Sequence, residues 1–257
     1  MKKILLLIFL LNLCGNINSQ QIEESKTYTI TPKFSLDLTD VQYKQLERFF
    51  KHQQRSKDWA RYNFYEENNQ SLKKAPEVVF MGNSITQGLA DKNKEYFLER
   101  NWLGRGIGGQ TSYQMLARFQ SDVVNLKPKV VVIMAGTNDI ANNDGIITYQ
   151  HILENIKTMC DVARYNNITP VLCSVLPVYQ YGWHKELGIV ADKIKQMNTL
   201  IKKFAETNNL VYVDYYSLMV DEKGAMKKHL AKDGVHPNPE GQKIMLSYIE
   251  PILNKMK

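Results

Sequence analysis

Lys129-Val130-Val131-Val132-Ile133-Met134-Ala135-Gly136 reads as a strand with no wet face. Val130 to Ile133 are all β-branched, and no polar residue interrupts the run before Gly136. A half-exposed strand would alternate apolar and polar residues, whereas an unbroken apolar run belongs to a parallel strand covered on both faces. The same pattern recurs at residues 77–81 (before Gly82), at 170–175 and at 210–214, with a weaker run near 99–103. Stretches of helical amphipathicity separate these runs, at 110–126, 148–166, 189–208 and 239–257. Strand and helix alternating on this scale build a parallel sheet with helices on both faces. The expected fold class is α/β, a three-layer α/β/α sandwich on a parallel sheet of about five strands.

In such sheets ligands sit beyond the carboxyl ends of the strands. Ser84 follows the first strand, after Gly82, where a glycine permits a sharp turn. Such a serine either caps the next helix or presents its hydroxyl at the sheet edge. The block Gly104-Arg105-Gly106-Ile107-Gly108-Gly109-Gln110-Thr111 precedes a helix and bares backbone N–H groups. It satisfies G-x-G-x-x-G, but the next strand ends at Ala135-Gly136 with no acidic residue for a ribose. No Lys-Ser/Thr follows either, so neither a dinucleotide site nor a P-loop is read here. Asn138, just past the 129–135 strand, suits an Asx turn or an amide donor to a developing oxyanion.

Asp233-Gly234-Val235-His236-Pro237 sets a carboxylate and an imidazole three residues apart, where both can face one side of a turn. The pair fits a capped loop, or part of a metal site that lacks further ligands. It also fits an Asp that holds Nδ1–H and leaves Nε2 as base for a serine. No G-x-S-x-G occurs, which argues against an α/β-hydrolase elbow.

Taken together, Gly82-Asn83-Ser84, Gly106-Ile107-Gly108-Gly109, Gly136-Thr137-Asn138-Asp139 and Asp233-Gly234-Val235-His236 resemble the four blocks of the SGNH (GDSL-like) hydrolases in order and spacing. The resemblance runs from about Glu77 to the C-terminus. One position departs: Asn83 stands where the first block usually has Asp. The resemblance implies a flavodoxin-like SGNH hydrolase fold and a serine esterase without cofactor or metal. It also implies a triad of Ser84, Asp233 and His236, and an oxyanion hole of the Ser84 and Gly109 N–H groups with the Asn138 side chain. His184, with Tyr181 and Trp183, lies in the loop after the 170–175 strand and is a candidate substrate contact. Aromatic faces and polar tips there suit a sugar ring.

The chain begins with Lys2 and Lys3, an apolar run from Ile4 to Leu11 and a polar exit, the form of a secretory signal over residues 1–20. Cys14 raises the alternative of a lipid anchor, the one route by which a membrane enters this reading. Such a leader would take two of the seven net positive charges with it. The remaining basic residues lie in scattered pairs, without the basic-aromatic blocks of a nucleic-acid surface. Residues 21–75 read as a helical N-terminal extension, and 76–257 as the hydrolase domain. Cys160 and Cys173 fit no zinc or redox spacing and read as buried free thiols.

The expectation is an exported serine esterase, periplasmic or extracellular, acting on short acyl groups such as acetyl. Its substrate is a small-molecule or glycan ester. A lysophospholipase or platelet-activating-factor-acetylhydrolase-like lipid esterase is the alternative, and a catalytically silent glycan-binding relative the third reading.

Overall fold

β1 (Val78–Gly82), β2 (Trp102–Gly106), β3 (Val130–Ile133), β4 (Thr169–Cys173) and β5 (Val211–Val213) pair in the order β2-β1-β3-β4-β5, all parallel. These positions come from a computed structural model, which describes residues 58–256. The expected leader, Cys14 included, and the extension up to residue 57 lie outside the described residues.

The sheet's pleat sorts its side chains. Val79, Met81, Val131, Ile133 and Leu172 enter one core, and Val78, Phe80, Val130, Val132, Val171, Cys173 and Val213 the other. Each large aliphatic side chain gains roughly 1.5–3 kcal/mol on burial, so both faces need a cover. The first is covered by α4 (Ser112–Ala117), α5 (Phe119–Asp122), α7 (Tyr149–Tyr165) and α8 (Ala191–Thr207). The second is covered by α2 (Ser84–Lys92), α3 (Lys94–Glu99), α9 (Tyr215–Met219) and α10 (Pro239–Asn254). The three-layer α/β/α sandwich read from the sequence is the fold observed. α7 shows the logic of one element: Ile152, Ile156, Met159, Cys160 and Ala163 make its buried face, and the Thr148 side chain caps it by accepting from the His151 N–H.

Three expectations shift. The weak strand near 99–103 is β2 at Trp102–Gly106, because Glu99 ends α3. Gly104 and Gly106 are poor strand formers by propensity. They are needed because α2 lies against them: a Cβ on Gly106 would sit 2.2 Å from Gln87 N and 2.5 Å from Asn83 O. The single amphipathic helix expected over 110–126 is instead α4, α5 and a 3-10 turn at Val124–Leu126. Of the helical extension expected over 21–75, the described part holds only a 3-10 turn at Tyr62–Phe64 and α1 (Glu66–Gln70). Cys160 and Cys173 are buried, unpaired, and on opposite sides of the sheet.

The chain goes from β1 outward to β2 and then back across to β3. The ends of β1 and β3 therefore flank the point where the direction of winding reverses, the usual crevice of such sheets. Ser84 starts the helix after β1, and Asn138 lies in α6 (Thr137–Ile140) after β3.

Candidate active site

Ser84 is the first residue of α2, and Asn83 before it caps that helix by accepting from the Ile85 N–H at 3.0 Å. The amide oxygen thus makes the bond a carboxylate would make there, and the departure from the usual Asp leaves the turn intact. On the far side, Asn238 caps α10 with bonds from Glu240 N and Gly241 N, and Pro239 begins the helix. This capped start and Pro237 fix the chain that carries His236.

The two ends meet across 152 residues: Ser84 Oγ lies 2.8 Å from His236 Nε2. His236 Nδ1 lies 2.6 Å from Asp233 Oδ2. An ionised carboxylate only accepts, so the proton sits on Nδ1 and the Nε2 lone pair faces the serine hydroxyl. Burial alone would raise the Asp233 carboxyl. The N–H of His236, its ring and the N–H of Val235 outweigh that and hold it below the ordinary carboxylate range. Both side chains are about half exposed. An ion pair so placed adds only about 0–1 kcal/mol to stability, so what the contact supplies is orientation of the ring.

The loop after β2 passes close to Ser84. The Gly108 N–H is taken by Gln87 Oε1 at 2.9 Å, one turn into α2. The next residue, Gly109, has φ of +82°, a backbone form that favours glycine, and its N–H has no acceptor among the described residues. Asn138 is buried and donates one Nδ2 hydrogen to Gln110 O at 2.9 Å, which leaves the second for a ligand.

A buried polar frame behind these loops escaped the sequence reading. Arg118, fully buried, donates to Gly82 O at the end of β1 and to Arg105 O one residue before the end of β2, and to Gln110 Oε1 and Asp122 Oδ2. The signal was there to find, since Arg118 and Asp122 sit four apart on the same face as Met115 and Phe119. A charge pair on an apolar face is a buried pair. Arg105 is also buried and is held by Asn68 and Asn69, with the Tyr65 hydroxyl on Gly106 O. Burial lowers the Arg105 guanidinium to about 10, still charged at neutral pH. Gln110 and Gln114 reach the carbonyls of Ala60 and Trp59. Residues 58–69 are thus bonded into the back of the site.

The aromatic loop divides. Trp183 is 45% exposed with its ring 6.5 Å from that of His236, so it stands beside the imidazole. His184 pairs its Nδ1 with Glu186 at 2.6 Å within the loop. Tyr181 does not fit the expectation of a substrate contact. It is 0% exposed, its hydroxyl is bonded to Thr137, and its ring packs 5.0 Å from Trp183. The Tyr181 phenol is buried because Thr137 supplies the partner its hydroxyl requires.

Comparison with known proteins identifies the family. The family model of the GDSL-like lipase/acylhydrolase family matches residues 80–244. A GDSL-like lipase from Bacteroides thetaiotaomicron superposes with a TM-score of 0.75 at 40% identity, over 77% of this chain and 99% of that one. YqeF, an uncharacterized lipoprotein of Bacillus subtilis, is 31% identical over 68% of this chain and 88% of its own. Platelet-activating factor acetylhydrolase IB subunit alpha1 of Rattus norvegicus is 28% identical over 65% of this chain and 70% of its own. The chain belongs to the GDSL-like lipase/acylhydrolase family, and it is a carboxylic ester hydrolase of the SGNH type.

Proposed function

We propose that this esterase cleaves acetyl and other short-chain esters outside the cytoplasm, with carbohydrate as the alcohol, through a Ser84 acyl-enzyme. The observation that carries the reading is the 2.8 Å contact of Ser84 Oγ with His236 Nε2, with Asp233 2.6 Å behind the ring. Ser84 Oγ attacks the ester carbonyl as His236 Nε2 takes its proton, and Asp233 steadies the imidazolium. The oxyanion of the tetrahedral adduct meets the N–H groups of Ser84 and Gly109 and the spare Asn138 Nδ2 hydrogen. Collapse breaks the bond to the alcohol, which leaves with the proton from His236. Water then repeats the sequence and frees the acid.

The acetyl preference is supported by the bulk of Trp183 beside His236, and by the likeness to a protein named an acetylhydrolase. The exposed indole face supports a sugar ring as the leaving group. The same likeness supports the second reading, a lipid-linked acetyl ester, since the relative is named for platelet-activating factor. Export rests on the basic-apolar-polar start of the chain and on the lipoprotein name of YqeF.

Ser84→Ala should abolish ester hydrolysis while the protein stays folded, and a serine-directed phosphonate should label Ser84 alone. Normal turnover by the folded variant would end the reading. On p-nitrophenyl esters from acetate to decanoate, kcat/KM should fall steeply, because each methylene that does not fit costs about 1–3 kcal/mol. A flat or rising series would favour the lipid ester instead.

A further inference from the structure

Asn143 lies in the turn after α6, where Asn142 has φ of +55° and the Asn143 N–H donates to Asn138 O at 3.0 Å. Its side chain faces two ways. Oδ1 accepts from Trp183 Nε1 at 3.0 Å, and Nδ2 donates to Gly109 O at 3.2 Å. The indole nitrogen can only donate and the Gly109 carbonyl can only accept, so these partners set which way the amide points. One side chain therefore joins the wall beside His236, carried by the loop after β4, to the Gly109 loop after β2. Its own backbone hangs from the residue whose amide faces the site. Trp183 is nearly half exposed and packs on one side against the Tyr181 ring, and the Asn143 bond uses the single polar atom of its indole.

We propose that Asn143 is a positioning residue and a determinant of specificity: it holds the Trp183 indole as a fixed wall of the substrate site and anchors that wall to the oxyanion loop. This rests on the roles given to Gly109 and His236 under the proposed function. An amide is required because the two jobs are opposite. Aspartate could accept from Trp183 but not donate to Gly109, and alanine could do neither.

The test compares Trp183→Phe, Asn143→Ala, Asn143→Asp and the double variant Asn143→Ala/Trp183→Phe, by kcat and KM on p-nitrophenyl acetate. Trp183→Phe keeps a ring and the Asn143–Gly109 bond, so KM should rise about 3–10-fold with kcat within about twofold. Asn143→Ala should raise KM similarly and lower kcat about tenfold. Asn143→Asp should keep a KM near that of the wild type while kcat falls. The double variant should be no worse than Asn143→Ala, since the anchor is already gone; fully additive losses would mean that the two flanks are held independently, and would overturn the proposal. The second readout needs no turnover. The Trp183 emission, taken in each background as the spectrum with Trp183 minus that of the matching Trp183→Phe protein, should shift towards a solvated indole in Asn143→Ala and stay in place in Asn143→Asp. An unmoved Trp183 signal in Asn143→Ala overturns the proposal even if Ser84→Ala has shown the catalytic reading to be wrong, and a shift upholds the anchor in that case.

Discussion

At the scale of single residues, burial and bonding sort neighbours with similar chemistry into different roles. Asn138 and Asp139 are adjacent and both buried, yet one keeps a spare donor and the other is fully engaged. Asn138→Ala removes a donor that strengthens only as charge develops on the substrate oxygen. Its kcat should fall roughly 10²–10³-fold with KM little changed, by steady-state kinetics; a change in KM alone would make Asn138 a binding residue. Asp139 accepts from the Ser112 N–H and hydroxyl, but burial dominates and raises its carboxyl to about 6. The folded protein therefore binds this proton more tightly than an unfolded chain, whose carboxyl titrates near about 3.9. Stability from this group is present at low pH and is lost as pH rises from about 4 to about 6, by up to about 3 kcal/mol. Urea unfolding at several pH values should show the wild type losing stability relative to Asp139→Asn across that window. A constant difference would place the Asp139 titration elsewhere.

At the scale of elements, the site depends on how closely α2 approaches β2. The β-branched runs of β1 and β3 were legible because their chemistry is local: a strand covered on both faces must be apolar throughout. β2 was not, since its glycines answer to helix residues fourteen or more positions earlier in the chain. Gly106→Ala tests that contact. Its methyl would meet backbone atoms of Asn83 and Gln87, which flank Ser84 and cannot rotate away. The variant should lose about 3 kcal/mol in denaturant unfolding, and the surviving folded fraction should show reduced kcat. A neutral outcome would mean that α2 can slide from β2 without harm. The break of the 110–126 stretch into α4 and α5 has a related cause. Arg118, between the two, is drawn into the interior by four acceptors on β1, β2, Gln110 and Asp122.

At the scale of the whole molecule, residues 58–69 behave as part of the hydrolase unit. Asn69 is the clearest case: its oxygen accepts twice from Arg105 and its nitrogen donates to Asp122 at 2.7 Å. Asn69→Ala would leave a buried guanidinium short of acceptors, a loss of about 1–3 kcal/mol in thermal or urea unfolding. Because Arg105 and Arg118 share the frame behind Gly82 and Gly106, the variant should also lower kcat more than KM changes. Wild-type stability and turnover in Asn69→Ala would show the segment to be a mere covering.

What the sequence determined by itself was everything carried by runs and by short motifs. The alternation of unbroken apolar runs with amphipathic stretches specified a parallel sheet between two helical layers. The four blocks around Ser84, Gly109, Asn138 and His236 pointed to a strand-end site, since each block sits directly after a strand or before a capped helix. Tertiary structure alone decided which polar side chains turn inward. Tyr181 went into the core and Trp183 to the rim although they are two residues apart, because Thr137 lay within reach of one and Asn143 of the other. Beyond the local Arg118–Asp122 pair, Arg105 and Asn69 found their partners across gaps of up to fifty-three residues. A buried polar group is stable only when its partners are present, and no local pattern reports a partner so distant in the chain.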